Sequence, residues 1–303
     1  MRNLGRNKIR TTCTDTYSVT THMIAPHRII LNASNMAGLV GQHPFHTRQD
    51  AFMAAWKSSD KSSYFRAHNR NHIATIEDER RKVREASKFI QDAVDEQPDR
   101  LLRANFNDVT AACFTSSAAD VESKQIAQEA RRIAYTSHGD AKEDAIVARA
   151  NDVLGLQFEK NDSTYRKAVG TTRHGTEIVF QGKIDGISHD GHVVLECKTR
   201  VHKLFLQIRP YEQIQVETYL ELLPEATKVV LVEAIFNVGA VPSINVIDVH
   251  RTSRLDWKPI ALAMADVLDR VIRDETLQDA LVTCKNKAAF LRALLRESLD
   301  LIV

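Results

Sequence analysis

The chain has 303 residues, of which 43% are hydrophobic and 26% charged, and its formal net charge at pH 7 is +2. These proportions are typical of a globular protein and exclude a fibrous or strongly charged disordered chain. No run of about 18 apolar residues occurs, so the sequence predicts no membrane-spanning helix. This length allows one large domain or two small ones.

Charge is distributed unevenly along the chain. Residues 1–74 contain ten Lys or Arg and three Asp or Glu, so this part carries +7 and the remainder −5. A basic segment is expected of a surface that faces phosphate groups, but a solvated surface accounts for it equally well.

The four cysteines, Cys13, Cys113, Cys197 and Cys284, are widely spaced and form no CxxC pair. This spacing argues against a zinc ribbon or an iron–sulfur cluster. The first residues, MRNLGRNKIRTTC, are basic without the apolar core of a secretory signal. We therefore expect an intracellular protein, in the cytoplasm or nucleus, with a loosely ordered lead-in over residues 1–25.

In chain order, the first motif is HRIILNASNMAGLVGQHPF, residues 27–45. Ser34 is predicted to cap a helix from about Asn35 to Leu39, and Gly41 to close it. A helix N-terminus binds anions, and Arg28 lies close enough in sequence to contact the same phosphate. A capped surface helix with an incidental arginine explains the pattern as well.

Helical periodicity dominates the next hundred residues. Residues 48–70 are predicted to form a helix followed by a polar loop, with Phe52, Met53 and Trp56 on one face. Further packing helices are predicted over residues 76–94 and 118–134. A helix over residues 137–152 then begins with Asp140, Glu143 and Asp144, which suit the positive end of a helix dipole.

The most informative stretch is FQGKIDGISHDGHVVLECK, residues 180–198. Asp190-Gly191 between apolar runs predicts a hairpin with a two-residue loop, which places Asp185 opposite Glu196. Opposed side chains share a face, as does Lys198 two residues further along the strand. The same register opposes Lys183 to Lys198, so either the strands separate there or Lys183 meets an anion.

Two facing carboxylates repel each other unless a cation lies between them. A divalent, oxygen-binding ion such as Mg²⁺ satisfies this requirement, and Lys198 could then hold or polarise water. A charged outer hairpin face is the alternative, but Val193, Val194 and Leu195 form an apolar run that predicts burial on both faces.

The remaining elements are a helix, two strands and two helices. Pro210 begins the helix PYEQIQVETYLELL, on which Tyr211, Gln215 and Tyr219 form one stripe. Strands are predicted over residues 228–236 and 243–249, and helices over residues 259–274 and 277–299.

These residues resemble two motif sets of known nucleases. Asp185 followed by Glu196-Cys197-Lys198 is similar to the core of PD-(D/E)xK nucleases, with Ile184 where the proline often stands. The opening motif, Arg28, Ala33-Ser34, Gly41 and Pro44-Phe45, resembles that of the phage lambda exonuclease-like, or YqaJ-like, viral recombinases. Gly139 and Glu143 match the family's G-x-x-x-E helix, and Gln215 and Tyr219 match its Q-x-x-x-Y helix.

The resemblance implies an α/β, restriction-endonuclease-like core with a mixed central sheet flanked by helices, plus extra N-terminal helical material. A single nuclease domain would then occupy residues 26–303. It would comprise a mostly helical part over 26–136, a catalytic core over 137–250 and C-terminal helices over 251–303.

The resemblance also implies roles for individual residues. The metal ligands would be Glu143, with Asp140 as the alternative, Asp185, Glu196 and the backbone carbonyl of Cys197, binding Mg²⁺ or Mn²⁺. Catalysis would use Asp185, Glu196, Lys198, Glu143 and Gln215. The substrate would be bound by Arg28, Ser34, Gln213 and Tyr219.

The implied function is a metal-dependent DNA exonuclease acting 5′ to 3′ on duplex ends, preferentially 5′-phosphorylated ones, in recombination, repair or viral DNA processing. Its expected partners are DNA, a single-strand annealing protein and further copies of the chain in a trimer, with no membrane. Three alternatives stay open: an endonuclease or nickase, a non-catalytic nucleic-acid-binding relative, and a metal enzyme that does not act on nucleic acid.

Overall fold

A computed structural model describes residues 27–75, 78, 81, 142–200, 203–236, 241–251 and 256–300. The lead-in over residues 1–25, the helices predicted over 76–94 and 118–134, and the positions Gly139 and Asp140 lie outside the described residues. Among the described residues, no helix combines the length and the apolar character needed to cross a bilayer.

The described chain opens with a short strand that passes directly into a helix, β1 (Ile29–Asn32) into α1 (Ala33–Leu39). The helix starts at Ala33 with extended Asn32 as its N-cap, so the prediction that Ser34 caps it is wrong. Ser34 instead lies in the first helical turn. The C-terminal prediction is confirmed, since Gly41 adopts a φ of 80° just past the helix end.

Residues 48–70 form two helices where one helix and a loop were predicted, α2 (Arg48–Ser59) and α3 (Lys61–Arg70). Asp60 separates them because its side chain accepts a hydrogen bond from the backbone N–H of Ser63, which caps the second helix. The predicted apolar face is confirmed, as Phe52, Met53 and Trp56 are all buried.

Three strands form the first sheet, in the order β1, β4 (Glu177–Lys183), β3 (Thr164–Thr171). β1 runs parallel to β4, and β3 runs antiparallel to it. The parallel register pairs Asn32 with Gln181, so the start of α1 lies beside the last residues of β4.

Five strands form the second sheet, in the order β2 (Phe158–Lys160), β5 (Gly186–Ser188), β6 (Val193–Arg200), β7 (Lys228–Ile235), β8 (Ser243–His250). β6 and β7 are parallel, and the other neighbours are antiparallel. The predicted mixed α/β class is confirmed, with the strands divided between two sheets.

The division falls at Ile184 and Asp185, between β4 and β5. The predicted hairpin register is confirmed, because Gly186 pairs with Leu195 and Ile187 with Val194. The predicted two-residue loop is wrong, since residues 189–192 all lie between the paired strands.

Lys183 does not oppose Lys198, because it ends β4 in the first sheet. There its ammonium lies 2.7 Å from the Asp162 carboxylate. Separation of the strands and an anionic partner thus both relieve the clash that the uninterrupted register predicts.

Both faces of the second sheet are covered, as the apolar run in β6 predicts. Val194, Val229 and Leu231 belong to the main core with α1, α2 and the later helices. On the other face, a helix over residues 142–154, here α4, packs Ile146, Val147 and Ala150 against Leu195 and Val230. This alternation directs Glu196 toward the main core and Cys197 toward α4.

The C-terminal elements complete the main core. α5 (Pro210–Leu222) starts at Pro210 as predicted and packs against α1 and β4. The helix predicted over residues 277–299 is two helices, α7 (Glu275–Thr283) and α8 (Lys287–Asp300), preceded by α6 (Lys258–Arg273). Extended Cys284 separates α7 from α8.

Candidate active site

A cavity of about 310 Å³ opens where the ends of β1 and β4, the start of β6 and the middle of α5 converge. Chain segments that are distant in sequence meet there because β1 pairs in parallel with β4 while α5 packs against β4 and α1. The lining residues are Asn32, Ala33, Ser34, Thr164, Gln181, Gly182, Lys183, Asp185, Glu196, Gln215 and Tyr219.

Asp185 and Glu196 form the floor of this cavity. The hairpin register that pairs Gly186 with Leu195 places these two carboxylates opposite each other. Asp185 lies at the break between the two sheets, where its Oδ2 accepts a hydrogen bond of 2.7 Å from the backbone N–H of Cys197. Glu196 is almost fully buried, with 2% of its surface exposed.

A chain of hydrogen bonds connects Glu196 with α5. The Lys198 ammonium donates to Glu196 Oε1 at 2.5 Å and to Gln215 Oε1 at 3.1 Å. Gln215 Nε2 in turn donates to Glu196 Oε1 at 2.9 Å and to the Tyr219 hydroxyl at 2.6 Å. The structure therefore brings together four of the predicted site residues with Asp185.

The second carboxylate oxygen of Glu196, Oε2, is buried and accepts no hydrogen bond from the part of the chain that the structure describes. A buried carboxylate oxygen without a partner is strongly unfavourable, since burial removes its water without replacing it. At this oxygen the described part of the site therefore lacks a cation or a hydrogen-bond donor.

The raised pKa of Asp185 indicates the same lack of positive charge. Burial, followed by the negative charge of Glu196, raises the pKa of Asp185 from 3.8 to about 8. The Cys197 backbone N–H and the Lys198 ammonium oppose this rise without cancelling it. Burial alone would lower the pKa of Lys198, but the Glu196 carboxylate raises it overall, so Lys198 stays a cation.

These properties fit a divalent cation. Asp185 and the unpartnered oxygen of Glu196 are hard carboxylate donors, and a cation between them would compensate both charges. In the described part of the chain, no three His, Cys, Asp or Glu side chains are grouped as a metal site. The protein donors brought together thus comprise two carboxylates, beside the peptide of Cys197.

Glu143, near the N-terminal end of α4, is close to this pair without joining it. Its carboxylate lies 3.6 Å from the Lys160 ammonium and contributes to the raised pKa of Asp185. Glu143 as a metal ligand stays a prediction. The Cys197 side chain packs against the apolar cluster under α4, on the opposite face of β6 from Glu196.

The predicted substrate-binding residues are distributed unequally. Ser34 and Tyr219 line the cavity. Arg28 precedes β1, roughly 13 Å along the strand from Asn32, and forms an ion pair of 2.7 Å with Glu177. Arg28 and Ser34 therefore do not share one phosphate site in this conformation. Gln213 donates to Glu217 Oε1 at 2.9 Å, away from the cavity.

Sequence reasoning missed most of the wall opposite the carboxylates. Asn32 and Gln181 are joined across β1 and β4 by a hydrogen bond of 3.0 Å, and Thr164 and Lys183 lie beside them. The one available signal was the clash predicted for Lys183, which indicated that this lysine needs an anion. β1 is too short an apolar run to be recognised as a strand.

Gly182 allows α5 to approach β4 closely enough to form the cavity. A Cβ atom there would lie 2.9 Å from Leu222 Cδ1 and 3.0 Å from Tyr219 Cε1. We expect Gly182→Ala to lower the free energy of unfolding by about 1–3 kcal/mol through overpacking. Gly170→Ala is the control, because no described atom lies within 4 Å of its Cβ position. Equal urea denaturation midpoints for the two variants would contradict this explanation.

Comparisons with known proteins give low-level structural resemblance. No family model matches the chain, and no curated protein matches it. The structure is similar to that of an alkaline exonuclease, LHK-Exo, from Laribacter hongkongensis, with 15% identity and a TM-score of 0.28 over 63% of this chain and 91% of that chain.

Two further structures give values in the same range. LHK-Exo in complex with dAMP is 17% identical, with a TM-score of 0.28 over 63% of this chain and 91% of that chain. SSO0001 is 17% identical, with a TM-score of 0.36 over 56% of this chain and 78% of that chain. Because these identities and TM-scores are low, we infer function from the side chains of the site.

Proposed function

We propose that this protein is a metal-dependent nuclease that hydrolyses phosphodiester bonds of DNA. The observation that carries the proposal is the buried Oε2 of Glu196, which has no hydrogen-bond partner among the described residues and lies next to Asp185 and beside the Lys198 ammonium. Two carboxylates and a lysine in this arrangement supply both a cation site and a group that can orient water.

Asp185 and Glu196 would hold the cation, with the Cys197 carbonyl and Glu143 as additional donors. When bound, a divalent cation stabilises negative charge that develops on phosphate oxygens. Lys198 would hold the attacking water, since its ammonium reaches both Glu196 and Gln215. Gln215 keeps this ammonium oriented, and buried Tyr219 keeps the amide of Gln215 in place.

The wall opposite the carboxylates suits the nucleic-acid backbone. Lys183 contributes a cation, with 57% of its side chain exposed, and Ser34 and Thr164 contribute hydroxyl groups. Phosphate oxygens accept hydrogen bonds from such groups. We therefore assign the terminal phosphate to Ser34 and Lys183, in place of the pairing of Ser34 with Arg28.

The finer assignment follows from the family resemblance. It makes the protein an exonuclease acting 5′ to 3′ on duplex ends, with Mg²⁺ or Mn²⁺, in recombination, repair or viral DNA processing. A homotrimer and a single-strand annealing protein as partner belong to the same assignment.

The test is incubation of the purified full chain with linear duplex DNA, with or without a 5′-phosphate, and with closed circular DNA. We expect degradation of linear DNA alone, faster with the 5′-phosphate, in Mg²⁺ or Mn²⁺ and none in EDTA. Cutting of circular DNA would assign an endonuclease or nickase instead. Binding without cleavage in either metal would identify a non-catalytic relative.

A further inference from the structure

A rim of aromatic side chains lies beside the cavity, at the start of α5. Tyr211 precedes Gln215 by four residues on this helix, so it lies about 6 Å along the axis from it, and it is not among the residues that line the cavity. The ring of His43, from the loop over residues 40–47, packs against it with centroids 4.7 Å apart. Tyr211 thus connects this loop with Gln215 and Tyr219, which lie on the same face of α5 and line the cavity.

His43 holds the loop in one conformation. Its Nδ1 accepts hydrogen bonds from the backbone N–H groups of Phe45, at 3.1 Å, and His46, at 2.8 Å. Only a neutral imidazole can accept at this nitrogen. Burial, followed by the positive charges of His46 and Lys198, lowers the pKa of His43, which favours the accepting form.

Phe45 lies at the tip of this organised loop with 81% of its surface exposed. Its ring meets His43 edge-on, with centroids 6.2 Å apart. Single exposed apolar residues are common on proteins and carry no meaning alone. Phe45 differs because hydrogen bonds to the His43 side chain order its loop, and His43 packs against Tyr211, one helical turn before Gln215.

A second loop, over residues 203–209, adds cations on the same end of α5. The Arg209 guanidinium stacks 3.8 Å from the ring centroid of Phe205. Buried Glu233 accepts the backbone N–H groups of Phe205 and Leu206, which fixes the loop. Leu206 is 70% exposed and has a φ of 63°, which is uncommon for a non-glycine residue.

We propose that Phe45 stacks on an unpaired base at the end of the nucleic acid whose backbone occupies the cavity. Exposed aromatic rings interleaved with cations are the usual platform for single-stranded nucleic acid, because every base has a face that can stack. Arg209 contacts the phosphate backbone of the same strand. The inference rests on the proposed function for its ligand and assigns Phe45 to substrate binding rather than to the reaction.

The test measures binding by the full chain in EDTA, where no metal-dependent cleavage occurs. The probes are fluorescent DNA duplexes that end either in unpaired bases or in abasic sites of equal length. We expect Phe45→Ala to weaken binding of the unpaired-base end about tenfold and to leave the abasic end unchanged. Phe45→Trp restores affinity, because its ring also stacks.

Val153→Ala is the matched control, since Val153 is also exposed, at 49%, and lies roughly 15 Å along α4 from Glu143. Unchanged binding by Phe45→Ala, or an equal loss for both DNA ends, would overturn the proposal. A change of oligomeric state in Phe45→Ala would also overturn it and assign the rim to contacts between copies. If the protein binds unpaired bases but does not cleave DNA with metal, the role of Phe45 in binding stands and the nuclease assignment is refuted.

Discussion

Lys198→Ala is expected to slow metal-dependent DNA cleavage about 100-fold or more, the usual effect of removing one group that stabilises a transition state. The Lys198 ammonium contacts both Glu196 and Gln215, two residues that line the cavity. Cleavage of radiolabelled linear duplex DNA under single-turnover conditions measures the chemical step directly.

The matched control for this variant is Lys228→Ala. Lys228 also pairs with a carboxylate, that of Asp248. Lys228 begins β7, whereas Lys198 lies beside Glu233, near the other end of that strand. Both variants lose one ammonium, so circular dichroism and the unfolding midpoint separate loss of fold from loss of chemistry. A Lys198→Ala protein that is folded and cleaves at the parent rate would refute the catalytic assignment.

Asp185→Asn is expected to stabilise the metal-free protein while abolishing its response to metal. The folded-state pKa of Asp185 is about 8, above its ordinary value of 3.8. Below about pH 4 the carboxyl is protonated in both the folded and unfolded states, so it imposes no penalty. Between about pH 4 and pH 8 the penalty on the folded state grows, and it is complete above pH 8.

The neutral amide removes this penalty and can still accept from the Cys197 N–H. We expect the variant to gain about 2 kcal/mol or more in free energy of unfolding above pH 8, a conservative figure for a shift of this size. The gain should disappear near pH 4. Urea denaturation in EDTA across this pH range measures it.

Metal binding is expected to reverse the order of stability. Mg²⁺ or Mn²⁺ should raise the unfolding midpoint of the parent protein by mass action and leave that of Asp185→Asn nearly unchanged. Asp190→Asn is the control, and its expected change in the free energy of unfolding has the opposite sign. Hydrogen bonds from Ser188 and His192 lower the pKa of Asp190, so its neutralisation should destabilise the fold. A destabilised Asp185→Asn protein at pH 9 would contradict the electrostatic interpretation.

The sequence predicted which residues form the carboxylate half of the candidate site because that half is local. The turn around Asp190-Gly191 is longer than predicted but keeps the predicted register of β5 with β6, and a period of two then places Asp185, Glu196 and Lys198 on one face. The stripe of Gln215 and Tyr219 follows equally from a helical period of 3.6 residues. Register and helix face are decided by neighbours in sequence, so these predictions needed no knowledge of the fold.

The opposite wall depends on contacts between distant segments, and only the tertiary structure decided it. Parallel pairing of β1 with β4 brings Ser34 to Lys183, while the same pairing leaves Arg28 at the far end of the strand beside Glu177. The break at Ile184 separates Lys183 from Lys198, and Gly182 allows α5 to close over the cavity. No local pattern encodes a parallel strand partner, because that partner is chosen by burial of apolar faces from distant parts of the chain.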